Sequence, residues 1–264
     1  MKKLLPLFLF FCSCVDVPVS GPSNSNVKIP YPNPSCPISV KETAHFLVHA
    51  CNSQTAEKYA SLAERFYDSI MQDTNLYSFI PARPYEITVY SSKEEYLAST
   101  KSQSWSAGLT YGNAILTWPS DDPQAVMAHE TTHLVMNEFM ENYSDSFIYI
   151  AEGLAVYQER KASSASDYSY RELIEKKVKP SPISFLEMAS YKPLKDEKSD
   201  YVSKWYAQCS SVVEYLIKNE GAFKFSLFLR NIKKGYDIDS ALKDAYAGSL
   251  QNYKDLEKKW LYWL

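Results

Sequence analysis

Histidine is scarce in this chain, with four in 264 residues: His45, His49, His129 and His133. Any site that uses two of them takes half of the supply, so each position can be weighed singly. Cysteine is sparse too, five in all, and Cys36, Cys51 and Cys209 beyond the first two are too scattered to form a metal-binding cysteine cluster. No apolar run approaches the ~20 residues that span a bilayer, Leu4 to Phe11 being far too short. Neither sign of charge dominates: 28 Lys+Arg stand against 31 Asp+Glu, for a net charge of -3, which gives no basic footprint for nucleic acid. No internal repeat is evident. No Cys–His or Ser–His arrangement of nucleophilic type stands out.

What the chain does have is His129-Glu130-Thr131-Thr132-His133, inside the apolar run from Ala125 to Met136. On a helix, two histidines four residues apart leave the same face one turn apart and can converge on one ion. The glutamate between them is placed beside such an ion, where it can take a proton from a bound water. Asp122 and Pro123 supply an N-cap and a first helical residue that needs no N–H partner, so the helix is expected to begin near Pro123. Val126, Met127, Leu134, Val135 and Phe139 wrap much of its circumference, the pattern of a helix buried within a domain.

A zinc site of hydrolytic type needs a third protein ligand and one open position. Asn137 is too far along the helix axis. Glu138 and Glu141 occupy the wrong part of the helix, and Asp145 sits in a turn-like segment and ranks second. Glu152 ranks first, because Ile148 to Tyr157 reads as a second apolar helix carrying one acid in its first turns, with Gly153 allowing close helix approach.

His129-Glu130-Thr131-Thr132-His133 followed by Ala151-Glu152-Gly153-Leu154-Ala155-Val156-Tyr157 resembles the gluzincin metallopeptidases. The resemblance implies that His129, His133 and Glu152 bind one zinc ion and that Glu130 is the catalytic base. The nineteen residues from His133 to Glu152 suit that pattern, and Met136 and Phe139 stand where a metzincin would have its glycine and third histidine. The segment from Trp205 to Leu216 looks like the helix that follows the zinc site in bacterial gluzincins of the peptidase MA-like type; on it, Tyr206 is the candidate donor to a reaction oxyanion. One departure is visible: many gluzincins place an aspartate four residues after the glutamate ligand to brace a histidine, and here that position is Val156, leaving the partner of His129 unassigned.

At the N-terminus, Met1-Lys2-Lys3 and the apolar run to Phe11 read as a secretory signal, and Phe11-Cys12-Ser13-Cys14 resembles a bacterial lipobox with Cys14 as the lipidated residue. Residues 1–13 are thus expected to be removed, with Lys2 and Lys3, and the chain to be exported to the bacterial cell envelope and held to a membrane through Cys14. Residues 14–40 are rich in Pro, Ser and Asn and read as a tether. In an oxidising compartment Cys36 and Cys51 are the pair to test for a disulfide. No long propeptide separates signal from domain, so no zymogen is expected.

The remainder, 41–264, reads as one α+β catalytic domain. A small mixed sheet with helices of zincin-like type over 41–160 carries the zinc helix, a helical lobe follows over 161–264, and an active-site cleft lies between. Glu42 to Ala50 reads as a first strand, on which His45 and His49 share a face without any acid or cysteine placed to make a metal site. Gln54 to Gln72 is an amphipathic helix, Tyr85 to Tyr90 a strand, and Ser91 to Leu97 a capped short helix. Ser106 to Trp118 reads as a hairpin turning at Gly112-Asn113; the resemblance to gluzincins implies that its edge borders the cleft and can pair with an extended peptide, the alternative being a plain covered edge. After a serine-rich break from Gln158 to Tyr168 the chain is helical, with Tyr201 to Asn219 the strongest segment. The expected function is a zinc peptidase acting on peptide or protein. The competing expectations are a silent surface lipoprotein that keeps a structural zinc, and a zinc hydrolase of a non-peptide substrate.

Overall fold

The computed structural model describes residues 29–141, 144–193 and 199–264. The signal segment, Cys14 and the first part of the tether lie outside the described residues. Five strands form one mixed sheet in the order β1-β2-β3-β5-β4: β1 Ser39–Glu42, β2 Phe46–Ala50, β3 Tyr85–Val89, β4 Gly108–Tyr111 and β5 Ala114–Thr117. β2, β3 and β5 run parallel, while β1 and β4 join the two edges antiparallel. Among the described residues all strands precede the metal-helix candidate and every regular element after it is a helix, so the class is α+β.

Alternation along the strands divides the sheet into two faces. Phe46, Val48, Ile87 and Ile115 point into the main core, which also takes in the first long helix, α1 (Ser53–Thr74), through Ala56, Tyr59, Ala63, Phe66 and Ile70. Leu109 and Leu116, paired across β4 and β5, point the other way and form a second cluster with Tyr90 and Tyr96 under the short helix α2 (Lys93–Thr100). Ser92 is the expected serine cap, accepting from Glu95 N at 3.3 Å to start α2, and Asn52 accepts from Thr55 N at 2.8 Å to start α1.

Ahead of α3, two segments differ from the sequence expectation. The strand expected over Glu42 to Ala50 is broken by a turn, with Thr43 N donating to Phe46 O at 2.9 Å, so His45 lies in the turn and does not share a strand face with His49. Its ring Nδ1 is 2.7 Å from Glu64 Oε2, its backbone N donates to Glu64 Oε1, and the ring stacks on Tyr67. An acid is therefore at hand, and it fastens the turn to α1. Residues 29–37, counted with the tether by composition, run along the domain: Tyr31 packs edge-on against Tyr111, Tyr90 Oη donates to Pro32 O at 2.8 Å, and Ser35 donates to Glu95. Cys36 and Cys51 are joined by a disulfide, which ties this segment to the end of β2.

Helix α3 (Pro123–Met140) is buried on every side from Ala125 to Met136, lying between α1 and α4 (Ile148–Ala162). α4 in turn packs against α7 (Asp200–Glu214). Between them come α5 (Ser164–Leu173) and the short α6 (Phe185–Ser190), and after them α8 (Ala222–Lys233), α9 (Ile238–Ala245) and α10 (Tyr253–Trp263). One apolar cluster runs from Phe46 on the sheet to Trp260 on α10, so both halves of the chain share a core. Among the described residues no helix is long and apolar enough to cross a membrane.

Candidate metal centre

The start of α3 is built as its sequence dictates. Asp122 Oδ1 accepts from Ala125 N at 3.1 Å, and Pro123 holds the first helical position. At the other end Lys233 Nζ donates to the Phe139 carbonyl at 2.6 Å, satisfying one of the terminal C=O groups. A helix fixed at both ends and buried between presents His129 and His133 one turn apart, and their Nε2 atoms are 3.1 Å from each other. Glu152, on α4, brings Oε2 to 3.6 Å from His133 Nε2 and 3.9 Å from His129 Nε2.

Those three atoms form a triangle whose sides decide what it can hold. The nearest point equidistant from all three lies about 2.1 Å from each, within the range of zinc–nitrogen and zinc–oxygen bonds. The donor set of two imidazoles and one carboxylate is likewise one that takes a divalent transition metal. The three residues therefore fit one metal ion, and all three are buried. Asp145, the second-ranked ligand, is not among them: it lies in a 3₁₀ turn, turned outward in an ion pair with Lys192. Glu138 and Glu141 are engaged elsewhere, with Ala82 N and Lys233 respectively.

Gly153 has a different neighbour from the one expected. A Cβ there would come 2.5 Å from the Cys209 carbonyl oxygen and 2.8 Å from Val213 Cγ2, so the glycine admits α7 rather than α3. The reason is helical geometry: successive residues are turned by about 100°, so Glu152 facing α3 directs residue 153 to another side. Tyr206 lies on α7, half-buried against the main core and edge-on to Trp205 at 5.0 Å.

His129 has a partner that the sequence left unassigned. Its Nδ1 is 3.1 Å from Glu159 Oε2, and Ser166 Oγ donates to Glu159 Oε1 at 3.0 Å. An Nδ1–H donated to this carboxylate leaves Nε2 as the lone-pair nitrogen, facing His133 and Glu152. Ser163 caps α5 by accepting from Ser166 N at 3.2 Å and donates its hydroxyl to Asp122, which links the first turn of α5 to the first turn of α3. The stretch that reads as a serine-rich break is therefore the support of the site. A signal for Glu159 was available: it lies seven residues after Glu152 and so on the same face of α4.

Electrostatics favour a positive charge here. Burial pushes the His129 ring toward its neutral form, yet the bond to Glu159 and the charges of Glu159, Glu130 and Glu152 outweigh it and lift the pKa to about 9. Three carboxylates around one imidazole make a well that a proton or a metal cation can fill. Arg160, next in sequence, faces away and clamps α4 to its neighbours, donating to Ser210 and Glu214 of α7 at 3.1 and 3.0 Å and to Asp167 of α5 at 3.2 Å.

Glu130 is fully buried at 0% exposure. Its Oε2 accepts from Thr110 Oγ1 at 2.5 Å, across from α3 to the edge strand β4. Thr110 was not found from sequence, since nothing local announces a contact between positions twenty residues apart.

Among protein-family models, the one described as Peptidase MA superfamily matches residues 66–264. No curated protein and no solved structure matches the chain.

Proposed function

The chain belongs to the Peptidase MA superfamily, whose function is of metallopeptidase type, and on that premise we propose that it is a zinc-dependent peptidase of gluzincin type with a zincin-like fold. The observation that carries the reading is the triangle of His129 Nε2, His133 Nε2 and Glu152 Oε2, with Glu130 in the same helix. His129, His133 and Glu152 would hold the zinc. When bound, zinc supplies Lewis acidity, lowering the pKa of a coordinated water toward ~7 and polarising a carbonyl.

The chain's own residues do the rest. Glu159 holds His129 in the tautomer that presents Nε2. Glu130 accepts the proton of the attacking water and passes it to the leaving nitrogen as the C–N bond breaks, so that the amine departs as a neutral group. Tyr206 donates to the oxyanion from α7. An extended peptide adds to the outer side of β4, the last strand of the sheet, pairing with its main-chain groups in a cleft between the sheet-bearing lobe and the helical lobe. With Cys14 lipidated and the following residues as tether, the enzyme works at the surface of a bacterial membrane on peptide or protein.

The test uses the full chain and its Glu130→Gln variant, with zinc content measured beside hydrolysis of a mixed peptide library. One zinc per chain in both proteins, with cleavage by the wild type alone, is the expected result. Zinc without cleavage by either protein would favour a structural metal or a non-peptide substrate, and absence of zinc would overturn the reading.

A further inference from the structure

Gly108 and Thr110 are two residues apart on β4, so both turn to the same face of the strand, the face that meets α3. Thr110 pairs in register with Ile115, a residue of the main core, while Leu109 and its partner Leu116 point to the opposite cluster. What Gly108 and Thr110 meet is Glu130. A Cβ on residue 108 would stand 2.8 Å from Glu130 Cγ and 2.9 Å from Oε1, so the glycine is the floor of a cradle that the carboxylate fills.

Glu130 has no solvent to hydrate it, and a buried carboxylate without hydrogen bonds is unfavourable by several kcal/mol. The Thr110 hydroxyl lies 2.5 Å from Oε2 and 3.2 Å from the Glu130 carbonyl, and the shorter contact takes its single proton. Among the described residues Oε1 has no hydrogen-bond partner. The two oxygens are therefore unlike: Oε2 is anchored to the strand by Thr110, while Oε1 lies against Gly108 and makes no hydrogen bond. The strand itself is well fixed, since Ser106 Oγ donates to the Gly108 carbonyl at 3.0 Å and Thr117 Oγ1 to the Ala107 carbonyl at 2.7 Å.

We propose that Thr110 is the positioning residue of Glu130, tying Oε2 to the edge strand so that Oε1 is the oxygen that accepts the proton. The proposal rests on the peptidase reading and deepens it. A substrate paired to β4 and a base bonded to β4 share one frame, so their relative placement does not depend on how α3 and the sheet shift against each other. A misplacement of about 1 Å from near-attack geometry is enough to cost roughly 10²-fold in rate.

The test compares the full-length chain with Thr110→Val, which keeps shape and β-branching but removes the hydroxyl, and Thr110→Ser, which keeps the hydroxyl. Thr110→Val is expected to bind zinc to the same stoichiometry and to lose about tenfold or more in kcat at unchanged KM, with Thr110→Ser within about threefold of wild type. In metal-stripped protein Thr110→Val should melt about 5 °C lower, with Thr110→Ser near wild type, as the anchoring bond is independent of the metal. A wild type that cleaves peptides beside a Thr110→Val of equal kcat would overturn the proposal alone. Equal damage from Val and Ser would do so too, by showing that the hydroxyl is irrelevant. A wild type that cleaves nothing would overturn the peptidase reading, and this proposal with it.

Discussion

His129 and Glu159, thirty residues apart, are joined through Nδ1 and Oε2 at 3.1 Å, and both side chains are almost wholly buried. The same carboxylate takes a second bond from Ser166, so its orientation is set before any ion arrives. A ligand whose ring cannot turn loses little freedom on coordination, and its basicity is raised by the negative charge behind it.

Glu159→Ala should therefore weaken zinc binding by roughly 10–100-fold, read by competition against a chelator of known affinity. Ser166→Ala, which removes only the support of that support, should move the same measurement in the same direction and by less. Unchanged affinity in Glu159→Ala would show that the ring is oriented by its packing alone.

Glu130→Gln keeps the shape and the acceptor for Thr110 but cannot take a proton. It should retain one zinc and lose roughly 10²–10⁴-fold in kcat, measured on whichever peptide the wild type cuts fastest.

Gly153→Ala tests the close approach of α4 and α7. The added methyl group meets the Cys209 carbonyl at 2.5 Å, a backbone atom that cannot swing aside. The helices must part, so the melting temperature should fall by an amount corresponding to about 1–3 kcal/mol, with zinc affinity reduced as Glu152 moves.

Acid should loosen the clamp around Arg160. Burial raises the carboxyls of Asp167 and Glu214, but the bonds and charges of Arg171 and Arg160 at Asp167, and of Lys218 and Arg160 at Glu214, outweigh it and leave both below their ordinary values. The folded chain then binds these protons later than the unfolded chain as pH falls. Their stabilisation is complete above the unfolded values of 3.8 and 4.5 and is lost as pH drops through the lower folded ones. The melting-temperature gap between wild type and Arg160→Met should accordingly be constant near neutral pH and narrow below about pH 4.

Local signals were legible and distant ones were not. The start of α3 at Pro123, its Asp122 cap, the turn at Gly112-Asn113, the mixed sheet ahead of a helical remainder and the pairing of Cys36 with Cys51 all rest on residues close in sequence or on hydrophobic period. That Glu152 comes beside His129 and His133 was readable because an acid in an apolar helix needs a polar reason. Glu159 escaped because attention to position 156, where a shorter acid would sit, found Val156; the brace comes instead from one turn further on. Thr110 and the partner of Gly153 depend on how a strand and a helix dock against α3 and α4, which no local pattern encodes. The break after Tyr157 misled through composition: serines read as loop, yet Ser163 is an N-cap and the residues after it form α5.

The disulfide has a mechanical consequence under the proposed anchoring at Cys14. Tension entering at residue 29 meets first the contacts of Tyr31, Pro32 and Ser35, then reaches Cys36, where the covalent bridge carries it straight to Cys51 and into α1. The β1–β2 hairpin lies within the bypassed loop and bears none of the load. Under the proposed anchoring, a tug reaches the start of α1 by a covalent path that leaves out the β1–β2 hairpin, so the sheet that carries Thr110 is not unzipped from its far edge.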